Sequence, residues 1–311
     1  MAIFKKRETL TQNIAYMAIM AAINVVFVLI TTLVPVLMVL LVLVLPLTNV
    51  IVTLFCKKKY FPIYAIATLG LCMLVTMWNI TDTFLYVIPS MITGFIFGIM
   101  VENKVPAIYI LISTSIIQFG CSYALIPFIK FVFNTDIVMV FLTAFGLKNF
   151  QYNSYLVPAF ISFLAIAQST LAYALIKAEI PKLGFEVNVE QDKFYFILPL
   201  IELVSIALSI LLGFYVTEFI FAPLVLLLFV SIYMMVDMYM KPKIYIWVLS
   251  FIAVAITVFV FAFSYQYIPK PLGITLIMIF FVLGSLIALI SKYLFKEKKK
   301  EVKINDGNKL C

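Results

Sequence analysis

The sequence contains no histidine, and that one absence removes Ser-His-Asp and Cys-His catalysis, His-ligated zinc and imidazole proton relays. Charge is scarce: 22 basic and 14 acidic residues make up 12% of the 311, about half the share of roughly 25% usual in soluble proteins. The ten glycines include no Gly-Lys pair and no Gly-rich stretch able to cradle a phosphate, so the chain is not expected to hydrolyse ATP alone. Of the four cysteines, Cys72 and Cys121 lie in apolar runs, Cys56 sits at the edge of one, and Cys311 ends the chain without a prenylation pattern. No pair reads as a disulfide or a metal site, and neither a cofactor nor an enzymatic activity is expected.

What fills the chain instead is apolar: 65% of the residues are hydrophobic, and the mean hydropathy is +1.18. Several uninterrupted runs reach the length of about 20 residues that crosses about 30 Å of hydrocarbon. In that solvent the backbone must satisfy its own hydrogen bonds, so the expected fold is all-α, a polytopic bundle of transmembrane helices. Polar breaks divide it into ten spans near 13–34, 36–55, 61–78, 83–101, 106–129, 154–176, 194–216, 219–240, 243–265 and 271–291. The opening Lys5-Lys6-Arg7 mimics a signal peptide, but the apolar run after it is too long and lacks a small-residue cleavage site, so it reads as a retained first helix.

Ten spans put both termini on one side. That side then holds nineteen of the lysines and arginines, and the other holds three, Lys130, Lys148 and Lys270. By the positive-inside rule both termini are cytoplasmic. The net charge of +8 is therefore a topology signal, and no nucleic-acid partner is expected. The lysine-rich run Lys296 to Lys300 adds attraction to anionic lipid headgroups.

The polar cytoplasmic segment 178–193 separates six spans (1–177) from four (194–292), and 293–311 form a lysine-rich cytoplasmic tail. The extracytoplasmic stretch from Lys130 to Asn153 carries Ile137, Val140, Phe141 and Phe145 at helical spacing, as an amphipathic connector or a cap lying along the membrane would. Within the spans, Ala18 and Ala22 in the first and Gly94 and Gly98 in the fourth form stripes of small residues. Such stripes let helices approach closely, either inside the bundle or against a separate subunit. Toward the extracytoplasmic side lie Trp78, Asn79 and Asp82 in the third loop, and Gln118, with Cys121 and Ser122 on the same face of span five. They are candidates for an outward-opening solute pocket; the alternative is an interfacial tryptophan with Asn79 and Asp82 as helix caps. Glu202, deep in span seven with Ser205 and Ser209 on its face, is an intramembrane carboxylate. It suits a proton-linked role or a structural bond to a neighbouring helix. Asp237 and Lys241 read as an i,i+4 pair, and Glu218 as a loop residue facing water.

Cytoplasmic termini, the Ala18-x-x-x-Ala22 stripe and a fourth span with Pro89, Gly94 and Gly98 ending at Glu102 and Lys104 resemble the substrate-binding S components of energy-coupling-factor vitamin transporters, over residues 1 to about 177. The added four-span half is similar to the YybS-like bacterial membrane proteins. The resemblance implies a bacterial cytoplasmic-membrane protein with a solute pocket on its outer side, under the loops after spans one, three and five. It also implies a partner, a membrane coupling subunit served by cytoplasmic ATPases. A non-transporting scaffold that recruits proteins or anionic lipid is the rival reading.

The charge partition makes a direct prediction. In intact cells a membrane-impermeant thiol reagent labels Lys148→Cys and leaves a cysteine placed near Glu186 unlabelled; the reverse pattern would overturn the assigned orientation.

Overall fold

The computed structural model describes residues 6–34, 37–78, 80–144, 146, 153–185, 192–240, 244–264 and 278–291. Every regular element among them is helical. Seven described helices are long and apolar enough to cross a membrane: Leu10–Leu33, Lys58–Val75, Thr83–Glu102, Ala107–Phe133, Ser154–Leu183, Tyr195–Tyr215 and Thr217–Val236, with shorter apolar stretches at Val44–Phe55, Phe251–Val260 and Ile279–Ser291. The chain is thus an all-α protein with the hallmarks of a membrane bundle. Its outer faces carry Ile63, Ile66, Leu74, Phe163, Leu203, Phe251 and Val258, while Asn13, Asn24, Asn49, Gln118 and Glu202 are buried. A water-soluble fold has the opposite arrangement.

The helices form two compact units, Met1–Asn153 with Ile161–Gln191, and Ser154–Phe160 with Asp192–Cys311. In the first unit, α1 (Leu10–Leu33) opens with a capping box in which Thr9 accepts from the Gln12 amide, satisfying donors that a helix start leaves free. It is followed by α2 (Met38–Phe55), α3 (Phe61–Val75) and the single turn α4 (Ile80–Asp82), which passes through a π-helical turn, Thr83–Val87, into α5 (Ile88–Glu102). Then come α6 (Ala107–Phe133), the short α7 (Ile137–Ala144) and α8 (Asn153–Glu179), the last belonging to this unit from Ile161 onward. The second unit contains α9 (Leu198–Tyr215), α10 (Phe221–Met240), α11 (Ile244–Ser264) and α12 (Ile279–Ser291).

Among the described residues the most extensive helix pairing is α2 against α5, and two glycines set its distance. A Cβ on Gly94 would lie 2.6 Å from Asn49 Cβ and 2.9 Å from the Pro46 carbonyl, and one on Gly98 would lie 2.6 Å from Thr53 Cβ. The small-residue stripe of the fourth span is therefore filled from within the unit, by α2. The stripe of the first span is not: Ala18 and Ala22 are exposed, and α1 turns Asn13, Met17, Ala21, Asn24, Val28 and Thr31 inward instead.

A buried polar network ties α1, α2, α3 and α5 together. Asn24 donates to Tyr64 Oη at 2.9 Å, Tyr64 donates to Asn49 Oδ1 at 3.0 Å, and Thr48 donates to Asn24 Oδ1 at 2.6 Å. Asn49 in turn donates to the Leu45 and Ser90 carbonyls. At one end of the unit Lys6 and Lys58 both pair with Glu102, at 3.0 and 2.6 Å. The start of the chain, the α2–α3 connection and the end of α5 therefore share that end. Arg7 joins them there, with its amide on the Phe55 carbonyl and its guanidinium over Tyr16. Beyond α6, Asp136 accepts from Lys130 and from the Met139 amide, and these donors hold its carboxyl below the usual carboxylate range. That bond pair ties α7 back to α6.

Gly98→Ala is expected to force α2 and α5 apart at a cost of about 1–3 kcal/mol, as overpacking does, read as a lowered unfolding temperature in detergent. Gly70→Ala in α3, where nothing lies within 4 Å of the added carbon, is the matched control and lowers nothing. Equal stability of the Gly98→Ala and wild-type proteins would contradict the packing described.

Candidate functional site

Between α2, α5, α6 and α8 of the first unit lies a small cavity of about 20 Å³ with hydroxyl and amide side chains in its wall. Pro46 contributes from α2, Ser90, Thr93 and Phe97 from α5 with Tyr86 of the π turn, Thr114 and Gln118 from α6, and Gln168, Ser169 and Ala172 from α8. Each wall has a local cause. Pro46 carries no amide hydrogen and interrupts the α2 ladder at the point where Gly94 lets α5 come close. The π turn adds a residue to the helical repeat just ahead of Ser90 and Thr93.

The lining is neutral throughout. Gln118, 6% exposed, donates to Gln168 Oε1 at 2.7 Å, so α6 and α8 meet through paired amides. Thr93 and Thr114 donate to the Pro89 and Ile110 carbonyls of their own helices, each at 2.7 Å. With their single hydrogens spent on main chain, both hydroxyls offer the cavity acceptor oxygens. The centre of the cavity is narrow and admits about one or two water molecules. A smaller cavity toward the α1–α2 and α3–α4 connections is lined by Thr31, Thr32, Thr76 and Thr83, where the hydroxyls of Thr76 and Thr83 share a hydrogen bond.

The residues singled out from sequence divide accordingly. Gln118 lines the main cavity; Ser122, one turn farther along α6, is half-buried and not in its wall. Trp78 is 79% exposed and faces away from the bundle. Asn79 and the side chains of Asp82 and Asp237, like Lys241 and the 293–311 tail, lie outside the described residues. Glu218 is exposed. Glu202 is completely buried in the second unit. Its partners are Ser231 of α10 and Ser285 of α12, while Ser205 and Ser209 bond the Ile201 and Ile220 carbonyls.

Sequence reasoning missed Gln168 with Ser169, Thr114, and the Asn24, Asn49 and Tyr64 network. The argument that singled out Glu202, a costly polar group deep in an apolar run, applies equally to Asn24, Asn49 and Gln168. No group of three or more His, Cys, Asp or Glu residues suited to a metal occurs among the described residues. No family model, curated protein or solved structure matches the chain.

The amide pair predicts a double-mutant signature. Gln118→Leu removes the partner of the half-buried Gln168 amide and costs about 0.5–1.5 kcal/mol, the net worth of one hydrogen bond. Gln118→Leu with Gln168→Leu recovers most of that loss in thermal unfolding. Additive losses in the double variant would contradict the pairing.

Proposed function

We propose that the chain is a solute-binding subunit of a membrane transporter, with the cavity between α2, α5, α6 and α8 as its binding site. The observation that carries this reading is a cluster of hydroxyl and amide groups gathered around a cavity inside an apolar bundle, where each costs free energy unless partnered. The chemistry of the wall selects the solute: small and uncharged, since no wall residue carries a charge, and rich in N–H or O–H donors to meet the oxygens of Thr93 and Thr114. Tyr86 and Phe97 offer it aromatic surface. Entry of anything larger than water requires the Gln118–Gln168 bond to open, and a solute that replaces both amide contacts repays that opening.

The finer membrane reading belongs to the same proposal. The three shorter apolar helices complete ten spans, both termini are cytoplasmic, and the protein resides in a bacterial cytoplasmic membrane. The gathering of Lys6, Lys58 and Glu102 at one end of the first unit supports the assignment of these segments to a common side. The likeness to S components of energy-coupling-factor transporters and to YybS-like proteins supports partners that supply the energy, a membrane coupling subunit with ATPases. The scaffold reading draws on a different observation, the exposed Ala18 and Ala22 on the outer face of α1, where a partner's helix could approach closely; the lysine-rich tail would hold anionic lipid in either case.

The test is a thermal-unfolding screen of the purified protein against neutral polar solutes, including vitamins and nucleobases. At a hundred times Kd a ligand adds about 2.7 kcal/mol to stability, a shift of several degrees. Ser169→Leu, which crowds the cavity, is expected to abolish that shift. A screen in which no solute raises the unfolding temperature would favour the scaffold.

A further inference from the structure

The second unit holds a polar cluster that the solute site does not use. Glu202 projects from α9 into a completely buried position. Two hydroxyls converge on one of its oxygens: Ser231 Oγ of α10 lies 2.7 Å from Oε1, and Ser285 Oγ of α12 lies 2.5 Å from the same atom. The other oxygen, Oε2, is buried with no hydrogen-bond partner. Ser231 Oγ also lies 2.9 Å from the Leu227 carbonyl of its own helix.

Counting hydrogens shows which form of the carboxyl this arrangement suits. A serine hydroxyl has one hydrogen to give, and Ser231 stands between two acceptors. An ionised carboxylate would leave one oxygen with two neutral donors and the other with none, an uncompensated charge in a dry bundle. A neutral acid fits every contact. Its proton sits on Oε1 and is donated to Ser231 Oγ, Ser231 passes its own hydrogen to the Leu227 carbonyl, and Ser285 donates to Oε1. Oε2 is then a carbonyl oxygen, for which a missing partner is a far smaller penalty than for an anion.

Among the described residues no charged group offsets a charge here. Among the described residues the side chains that act on Glu202 are the two serines alone. Tyr195, on the turn before α9, is directed to the Met234 carbonyl, and Glu218 is exposed on the turn after α9. The described side chains of α12 include no titratable group.

We propose that Glu202 is a reversible proton-binding site, with the bound proton held between α9 and α10 by Ser231 and clamped from α12 by Ser285. On release the O–H bond breaks, its electron pair stays on the carboxylate, and the proton passes to bulk water. The resulting anion is stable only if the three helices move to admit water or a cation, so occupancy of this site by a proton sets the packing of the second unit. The proposal is independent of the solute cavity, which lies in the other unit.

Infrared spectroscopy of the full-length protein in lipid tests it. At neutral pH the spectrum is expected to contain the C=O stretch of a protonated carboxylic acid that moves on carboxyl-13C labelling of glutamate. The band should be absent in Glu202→Gln, shifted in Ser231→Ala, and reversibly lost as the pH is raised. Ser231→Ala and the pH titration of the wild type carry the test should Glu202→Gln fail to fold. A spectrum without an acid band at neutral pH, or a glutamate band left unmoved by Ser231→Ala, would overturn the proposal.

Discussion

The first unit depends on how closely α2 and α5 approach. Helices in hydrocarbon gain little from burying apolar surface against one another, because lipid is as apolar as leucine, so shape and hydrogen bonds decide their contact. Here Gly94 meets Asn49 and Pro46, and Gly98 meets Thr53. At that separation Asn49 reaches the Ser90 carbonyl across the interface while Tyr64 of α3 reaches Asn49, and Asn24 and Thr48 close the network. Four helices are registered to one another by groups whose alternative, in a dry interior, is to go unsatisfied.

The cavity is a consequence of that register. Pro46 and the Ser90–Thr93 turn form one side because α2 and α5 are locked together, and α6 and α8 close the other side through Gln118 and Gln168. The network and the cavity differ in one physical respect. Asn24, Thr48, Asn49 and Tyr64 satisfy one another across α1, α2 and α3 and reach α5 through the Ser90 carbonyl, whereas Thr93 and Thr114 look after their hydrogens locally and leave oxygens facing open space. The first arrangement suits a fixed frame, and the second suits a surface that meets a guest of matching polarity.

Much of the architecture was legible in the sequence, because the bilayer is a severe solvent. Span length and the scarcity of charge follow from it directly, and the seven helices long and apolar enough to cross a membrane fall in apolar runs, while α7 lies in the stretch read as a connector. Gly94 and Gly98 marked a close contact, yet nothing in their spacing named α2 as the partner rather than another chain. Gln118 and Glu202 were visible as costly groups in apolar runs. Gln168, Ser231 and Ser285 became meaningful only once folding brought residues 50, 29 and 83 positions apart into hydrogen-bonding distance. Ala18 and Ala22 illustrate the limit of one-dimensional pattern: a stripe at the same spacing as Gly94 and Gly98 faces outward, because Asn13, Asn24 and Thr31 claim the inner face of α1. Trp78 shares the depth of Gln118 along the sequence, and depth does not say which way a side chain turns.

Native mass spectrometry of the protein ejected directly from its own membrane tests the proposal that the cavity of the first unit holds a small neutral molecule. One small-molecule adduct is expected per wild-type chain, lost in Thr93→Leu while lipid adducts persist. A wild-type spectrum carrying only bare protein and lipid, or an adduct that survives Thr93→Leu unchanged, would contradict it.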